Sequence, residues 1–355
     1  MGRILFVTTQ YRVGERIYPI IPSLAKKYNL DLVKLYQMDP SWKWPGSDDL
    51  RKYFDKDYLH YFDNVYNSVD IDYSKYDLII TDDNRQYNGL SDIYSKRKCI
   101  LLACSHGVTE HGYEVHGVNK SYDGCFVFGN KEVSEDHQIA AGIPANDELQ
   151  QYKNIDKQHI LVIINYLGNA GVISTGIPDS DSKNLIAFKS FGHHGAHRTV
   201  FRLFNKEVFD AMDLLGLQKK YNKPVVIKIK TRPTTNIQSD LDYLSEVLPK
   251  ELDYKVLFDV ENDNKLVAES EVVISAPSTL ALKPIQLQIP TALIIGTGQV
   301  GIFYDYKGLV AKKEDIANTL KIKPDKDFIN QTITGGLNFN STDYFLNYVE
   351  QCLNG

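Results

Sequence analysis

The sequence predicts an α/β protein built from two doubly wound domains. Short apolar runs alternate with longer helical patterns, as they do in βαβ units. The runs are apolar almost throughout, which is typical of parallel strands covered on both faces. The pattern restarts near the middle of the chain, and 355 residues are enough for two domains of ordinary size.

In the first half, a predicted strand at Arg3–Val7 is followed by a predicted helix at Ile17–Tyr28. The later predicted strands are Leu30–Leu35, Asp77–Ile80, Cys99–Ala103 and Gly124–Gly129. Residues 141–147 have the composition of an exit loop, and Gln150–Lys157 that of a polar linker. We therefore expect the first domain to span residues 1–152.

In the second half, a predicted strand at His159–Ile164 precedes a long connection rich in Gly, Ser and Asp. A helix is predicted from Val200 to Tyr221. The later predicted strands are Pro224–Ile229, Lys255–Phe258, Glu271–Ser275 and Thr291–Ile295, and the predicted closing helices are 315–320 and 344–353. We expect a second domain at 158–340 and a C-terminal helix at 341–355.

Composition indicates a soluble globule and disfavours two kinds of partner. Hydrophobic residues make up 43% and charged residues 24% of the chain. The net charge of -5 gives no global attraction to nucleic acid or to an anionic membrane, and the basic run Lys96–Lys98 is too small to change this. No apolar run reaches transmembrane length, and the N-terminus does not resemble a signal peptide. The four cysteines show no CxxC spacing, so we predict reduced thiols and a cytoplasmic protein.

The stretch Gly296–Gly301 matches the GxGxxG pattern and follows a predicted strand. A dinucleotide site would need a helix opening at its last glycine. The sequence that follows, 302–310, is aromatic and is interrupted by Gly308, so a helix is not predicted there. We interpret the stretch as a flexible turn beside a ligand, with Gly298 and Gln299 as candidate contacts.

The stretch SHGVTEHGYEVHG, residues 105–117, follows a predicted strand and contains three His-Gly pairs. A zinc-binding helix would place histidines four residues apart, whereas the spacing here is five. We predict a loop at a ligand site and no metal. His106, Glu110 and His111 lie in this loop, and Asp82 follows another strand end, so each is a candidate proton acceptor.

A second histidine cluster lies at Gly192–Arg198, before the helix predicted from Val200. Its residue His194 is a further candidate contact. This segment could approach a ligand's phosphates, form a lid, or be a solvated loop, and the sequence leaves all three open.

The segment Ser270–Leu293, SEVVISAPSTLALKPIQLQIPTAL, resembles the donor-site region of GT-B glycosyltransferases. Those enzymes commonly have an apolar strand, a Ser/Thr turn, a helix and a "g-x-P" step, and Ile289-Pro290-Thr291 is similar to that step. The basic turn 228–233 lies where the family often has a His-Pro turn. In that family, a Glu in this helix often binds the ribose of the donor. Near that position the present sequence has Lys283-Pro284, so the resemblance does not identify a residue that binds the ribose.

Two motifs in the first half resemble CDP-glycerol glycerophosphotransferases. Ser105-His106-Gly107 is similar to their "HG" motif, and residues 142–147 are similar to their "G-x-P-x-x-D" loop. UDP-N-acetylglucosamine 2-epimerase shares the same architecture. The resemblance implies two Rossmann-like domains facing an interdomain cleft.

The resemblance also implies a reaction: transfer of a sugar or a polyol phosphate from a nucleotide-activated donor to an acceptor hydroxyl, without metal or cofactor. Helix N-termini and basic side chains would stabilise the leaving phosphate. The expected phosphate ligands are Lys230, Arg232, Ser278 and Thr279. The expected base is His106, with Glu110 and Asp82 as substitutes. The sequence does not specify the acceptor.

Three other functions remain open on the same fold. An epimerase would need acidic groups near the sugar. A DNA-modifying glucosyltransferase would need a basic stripe. A non-catalytic module would bind nucleotide without turnover.

Overall fold

A computed structural model of the chain forms two compact units. The structure describes residues 2–8, 16–34, 54–68, 70–81, 97–104, 122–133, 136–164, 191–192, 199–200, 206–229, 237–258, 263–294, 301–310 and 313–354. Described residues up to Gln150 and from Ile329 onward form the first unit, and those between Gln151 and Phe328 form the second. The domain boundaries that we predicted from the sequence, 1–152, 158–340 and 341–355, remain a proposal in addition to this division into two units.

The first unit contains a seven-stranded parallel sheet. Its strands are β1 (Arg3–Thr8), β2 (Asn29–Lys34), β3 (Asn64–Tyr66), β4 (Leu78–Thr81), β5 (Ile100–Cys104), β6 (Gly124–Val127) and β7 (Gln138–Ala140). They lie in the order β3-β2-β1-β4-β5-β6-β7. The predicted strands are confirmed as β1, β2, β4, β5 and β6, whose apolar side chains are buried on both faces. The edge strands β3 and β7 were not predicted, because each has only three residues.

The second unit contains a six-stranded parallel sheet and a short antiparallel pair. The strands are β8 (His159–Ile164), β9 (Phe191–Gly192), β10 (Thr199–Val200), β11 (Val225–Ile229), β12 (Tyr254–Phe258), β13 (Ser270–Ser275), β14 (Thr291–Ile294) and β15 (Leu309–Val310). The sheet has the order β12-β11-β8-β13-β14-β15, and β9 pairs with β10. Five of the six strands were predicted from their apolar runs, and β15 was missed.

The described helices are mostly short. They are α1 (Ile21–Ala25), α2 (Lys206–Met212), α3 (Leu214–Tyr221), α4 (Ile237–Val247), α5 (Asp263–Ala268), α6 (Leu282–Gln286), α7 (Ile316–Thr319), α8 (Lys326–Thr332) and α9 (Ser341–Asn354). The continuous helix predicted from Val200 to Tyr221 is wrong. Residue Val200 lies in β10, and Asp213 breaks the helix with a left-handed φ of 45° while its side chain caps α3. The helix predicted from Ile17 is a 3-10 turn followed by α1.

The C-terminal helix α9 packs in the core of the first unit. Phe345 and Val349 are buried on its inner face. The ring of Phe345 stacks on that of Phe126 in β6, with centroids 3.8 Å apart. This helix therefore covers one face of the first sheet.

Candidate functional site

The second sheet has the strand order 3-2-1-4-5-6 when its strands are counted along the chain, and the first sheet has the same order with a seventh strand added at the end. In doubly wound sheets of this order, ligands bind at the carboxyl ends of the strands, where the order reverses. In the second sheet this switch point lies between the ends of β8 and β13, at Ile164 and Ser275. In the first sheet it lies between the ends of β1 and β4, at Thr8 and Thr81.

At the switch point of the second sheet, β13 ends in a serine-rich turn. The buried hydroxyl of Ser275 donates a hydrogen bond to the carbonyl of Ala276, at 2.7 Å. Ser278 has extended backbone, and its Oγ accepts from the N–H of Ala281 at 3.3 Å. A 3-10 turn, Thr279–Ala281, then leads into α6. The helix start predicted at Ser278 is confirmed, with Ser278 as its N-cap.

The step from α6 into β14 explains the "g-x-P" pattern. Gln288 stands in the glycine position and has a φ of 58°, in the left-handed region that favours glycine. The N–H of Ile289 donates to the carbonyl of Pro284, and the carbonyl of Pro290 accepts from Val273. These bonds fix the start of β14 beside β13, and so hold the serine-rich turn at the sheet edge.

A partly buried ion pair lies on the side of β8 opposite to β13. Lys228 is in β11 with only 6% of its surface exposed. Its Nζ lies 3.4 Å from Oδ1 of Asp263, the first residue of α5. Lys228 is in register with Ile163 of β8, and Ile163 is in register with Ser275. The pair therefore lies in the same row of the sheet as the start of the serine-rich turn.

In the first unit, two predicted catalytic loops follow neighbouring strands. β4 ends at Thr81, immediately before Asp82, and β5 ends at Cys104, two residues before His106. Thr81 pairs in register with Ala103, so both strand ends lie at one edge of the sheet. The hydroxyl of Thr81 donates to the carbonyl of Val7 at 3.1 Å, which ties β4 to β1 at the switch point.

Glu132 is a buried carboxyl group near the end of β6 that sequence reasoning missed. It lies in a 3-10 turn, and its Oε2 accepts from the N–H of Phe128 at 2.7 Å. Burial raises the pKa of Glu132 to about 7, against the opposing effects of that hydrogen bond and of the Arg16 guanidinium. A carboxyl group whose pKa is raised by burial, in the turn that follows the carboxyl end of β6, is a candidate acid or base. Its sequence signal is weak, because the strongly apolar run before it gives no indication of a buried acid.

The "G-x-P-x-x-D" loop has a structural role in the first unit. The Asp147 carboxylate accepts from the N–H groups of Ser341 and Thr342, at 3.0 and 2.7 Å, and so caps α9. Gly142 has a φ of 81°, and a Cβ there would collide with Ser341 and the carbonyl of Thr334. Both motif positions therefore hold the C-terminal segment against the exit loop.

Nine predicted site residues lie outside the described residues. The residues Asp82, His106, Glu110, His111, His194, Lys230 and Arg232 are seven of them, and the neighbouring pair Gly298 and Gln299 completes the set. Only strand ends that flank these positions are described. After the GxGxxG stretch, the described residues 301–310 contain a three-residue 3-10 turn and β15. Within the described ranges, no group of three or more His, Cys, Asp or Glu side chains is arranged to hold a metal.

Comparisons with known proteins identify the fold. No family model matches the chain, and no curated protein matches its sequence. Among solved structures, S. aureus MnaA with UDP has a TM-score of 0.58 at 12% identity, over 100% of this chain and 97% of that one. The UDP-GlcNAc 2-epimerase from Methanocaldococcus jannaschii scores 0.55 at 13% identity, over 98% and 100%. The wall teichoic acid polymerase TagF with CDPG scores 0.54 at 14% identity, over 99% and 89%.

These similarities extend over nearly the whole chain, and at this level of identity they establish the fold alone. The chain has the two-unit, parallel α/β architecture of GT-B-type enzymes, as its sequence predicted. None of the described helices is both long enough and apolar enough to cross a bilayer.

Proposed function

We propose that this protein is a metal-independent transferase that moves a sugar or a polyol phosphate from a nucleotide-activated donor to an acceptor hydroxyl. The observation that carries the proposal is the serine-rich turn at the switch point of the second sheet, in a fold shared with enzymes solved with UDP and with CDPG. Switch points are where doubly wound sheets bind nucleotides.

In this proposal the second unit binds the donor. Ser278 and Thr279 contact the diphosphate at the capped turn, and Lys230 and Arg232, just beyond β11, neutralise the charge that builds on the leaving phosphate. The donor is a substrate, and no further cofactor is invoked.

The first unit supplies the proton acceptor. His106 is our first choice, because a neutral imidazole can take the proton of the acceptor hydroxyl. Glu110 and Asp82 are the substitutes. His111, His194, Gly298 and Gln299 remain candidate ligand contacts.

A thermal-shift screen with UDP, CDP, UDP-GlcNAc and CDP-glycerol tests this proposal. At a ligand concentration about 100 times Kd, binding stabilises the folded state by about 2.7 kcal/mol, which raises the unfolding temperature measurably. We expect one nucleotide family to raise it, with ATP and GTP as controls that do not. No shift with any of the four compounds would contradict the proposal.

Glu132 favours a second candidate, an epimerase of nucleotide-activated sugars. Epimerisation needs groups that remove and return a proton at the sugar, and a carboxyl with a pKa of about 7 suits both steps. An epimerase would convert UDP-GlcNAc to its C2 epimer without any acceptor. Glu132→Gln should then lower turnover by about 10²-fold or more. A transferase would instead release UDP or CMP only when an acceptor is present, and Glu132→Gln would leave most of its activity.

A further inference from the structure

The Lys228–Asp263 pair is a charged feature at the carboxyl edge of the second sheet to which the proposed function assigns no role. Lys228 shares a sheet face with Val226, and this face packs against Leu266 and Val267 of α5. An ammonium group in such apolar surroundings is costly unless its partners are close and complete.

The pair is incomplete within the described residues. A charge-assisted N–H···O bond is usually about 2.7–2.9 Å long, whereas Lys228 Nζ lies 3.4 Å from Asp263 Oδ1. That oxygen is buried and has no hydrogen-bond partner in the described part of the chain. Among the described residues, Lys34 is also a buried lysine at a strand end, and it makes a 2.6 Å hydrogen bond to Asp55 in the first unit. The ammonium of Lys228 and the carboxylate of Asp263 can therefore both form a hydrogen bond with a ligand.

The position of the pair fits one end of a nucleotide whose other end lies at the serine-rich turn. The strands β11, β8 and β13 carry Lys228, Ile163 and Ser275 in one row. Two strand spacings of about 4.8 Å separate the backbones of Lys228 and Ser275 by roughly 10 Å. This is the scale of a nucleoside diphosphate rather than of a single phosphate.

We propose that Lys228 and Asp263 bind the vicinal diol of the nucleotide's ribose, an assignment that rests on the proposed function. Each diol hydroxyl can accept a hydrogen bond from the ammonium and donate one to the carboxylate. The diol therefore supplies hydrogen-bond partners to both charged groups. The turn and helix at 275–286 contain no carboxylate. Asp263 supplies the acidic oxygen that ribose recognition uses in doubly wound sheets.

Calorimetric titration of the full chain with UDP and CDP, and with their 2′-deoxy counterparts, tests this assignment. The wild type should prefer the ribonucleotide by about tenfold or more, since the lost hydrogen bond is to a charged group. Asp263→Ala and Lys228→Met should each reduce this preference to within about twofold, by the same reasoning. Both variants also lose a hydrogen bond to the 3′-hydroxyl that the deoxynucleotide retains, so they should bind it more weakly than the wild type does, and an unchanged far-UV circular dichroism spectrum shows that they are folded.

Glu271→Gln is the matched control. Glu271 pairs with Lys223 at 3.1 Å near the amino end of the same sheet, far along the strand from the proposed site, and this variant should keep the preference. The diol assignment would be overturned if the wild type showed no preference for the ribonucleotide, or if the two variants retained that preference. Neither result would contradict nucleotide binding itself. Failure of both UDP and CDP to bind would overturn the proposed function and this assignment with it.

Discussion

At the scale of single residues, burial determines which ionisable groups behave unusually. His159 begins β8, and its Nε2 lies 3.0 Å from the carbonyl of Leu266, so this nitrogen carries the hydrogen and donates it. Burial lowers the pKa of His159 to about 4, although the hydrogen bond opposes the change. This histidine is at the amino end of its strand, away from the ligand-binding edge, and we assign it a structural role.

The lowered pKa of His159 predicts how stability depends on pH. In the unfolded chain the pKa is about 6.5, so the unfolded state binds more protons than the folded state between pH 6.5 and 4. The free energy of unfolding should therefore decrease as the pH is lowered from 6.5 to 4, by up to about 3 kcal/mol from this group. Urea unfolding at several pH values measures it, and His159→Gln should remove that part of the dependence. Equal pH dependence in the variant and the wild type would contradict the assignment.

At the scale of elements, apolar runs were sufficient to predict the central strands, because both faces of a parallel sheet are covered. The runs do not show where a helix breaks. Asp213 interrupts the predicted helix because its side chain accepts from the N–H of Gly216, a local bond that competes with a helical conformation. Strands β3 and β15 are too short and too dependent on their neighbours to have their own signal.

The contact between the exit loop and α9 gives a prediction at this scale. Asp147→Ala removes two hydrogen bonds to the first N–H groups of α9 and should lower stability by about 1–3 kcal/mol. Hydrogen exchange should accelerate in residues 341–354 and stay unchanged in α4. The exposed residue Asp156 provides the control, and Asp156→Ala should change stability by less than about 0.5 kcal/mol. Unchanged protection of α9 in Asp147→Ala would show that the cap contributes little.

At the scale of the whole molecule, the sequence predicted the fold class and the capped helix start at Ser278. The Ser278 cap was predictable because serine at the start of a helix has a local signal. The pairing of Lys228 with Asp263 was not, because it depends on how α5 packs against β11, and the two residues are 35 positions apart. The raised pKa of Glu132 was not predictable either, since it results from burial rather than from neighbouring sequence.

In the proposed function, a nucleotide binds to the second unit at the switch point between β8 and β13. A crystal structure of the full chain with the nucleotide that gives the largest thermal shift tests it most directly. We predict that the diphosphate lies against the turn from Ser275 to Ala281 and that the ribose hydroxyls lie within hydrogen-bond distance of Lys228 and Asp263. A nucleotide bound at the amino edge of this sheet, or held by the first unit alone, would contradict the claim.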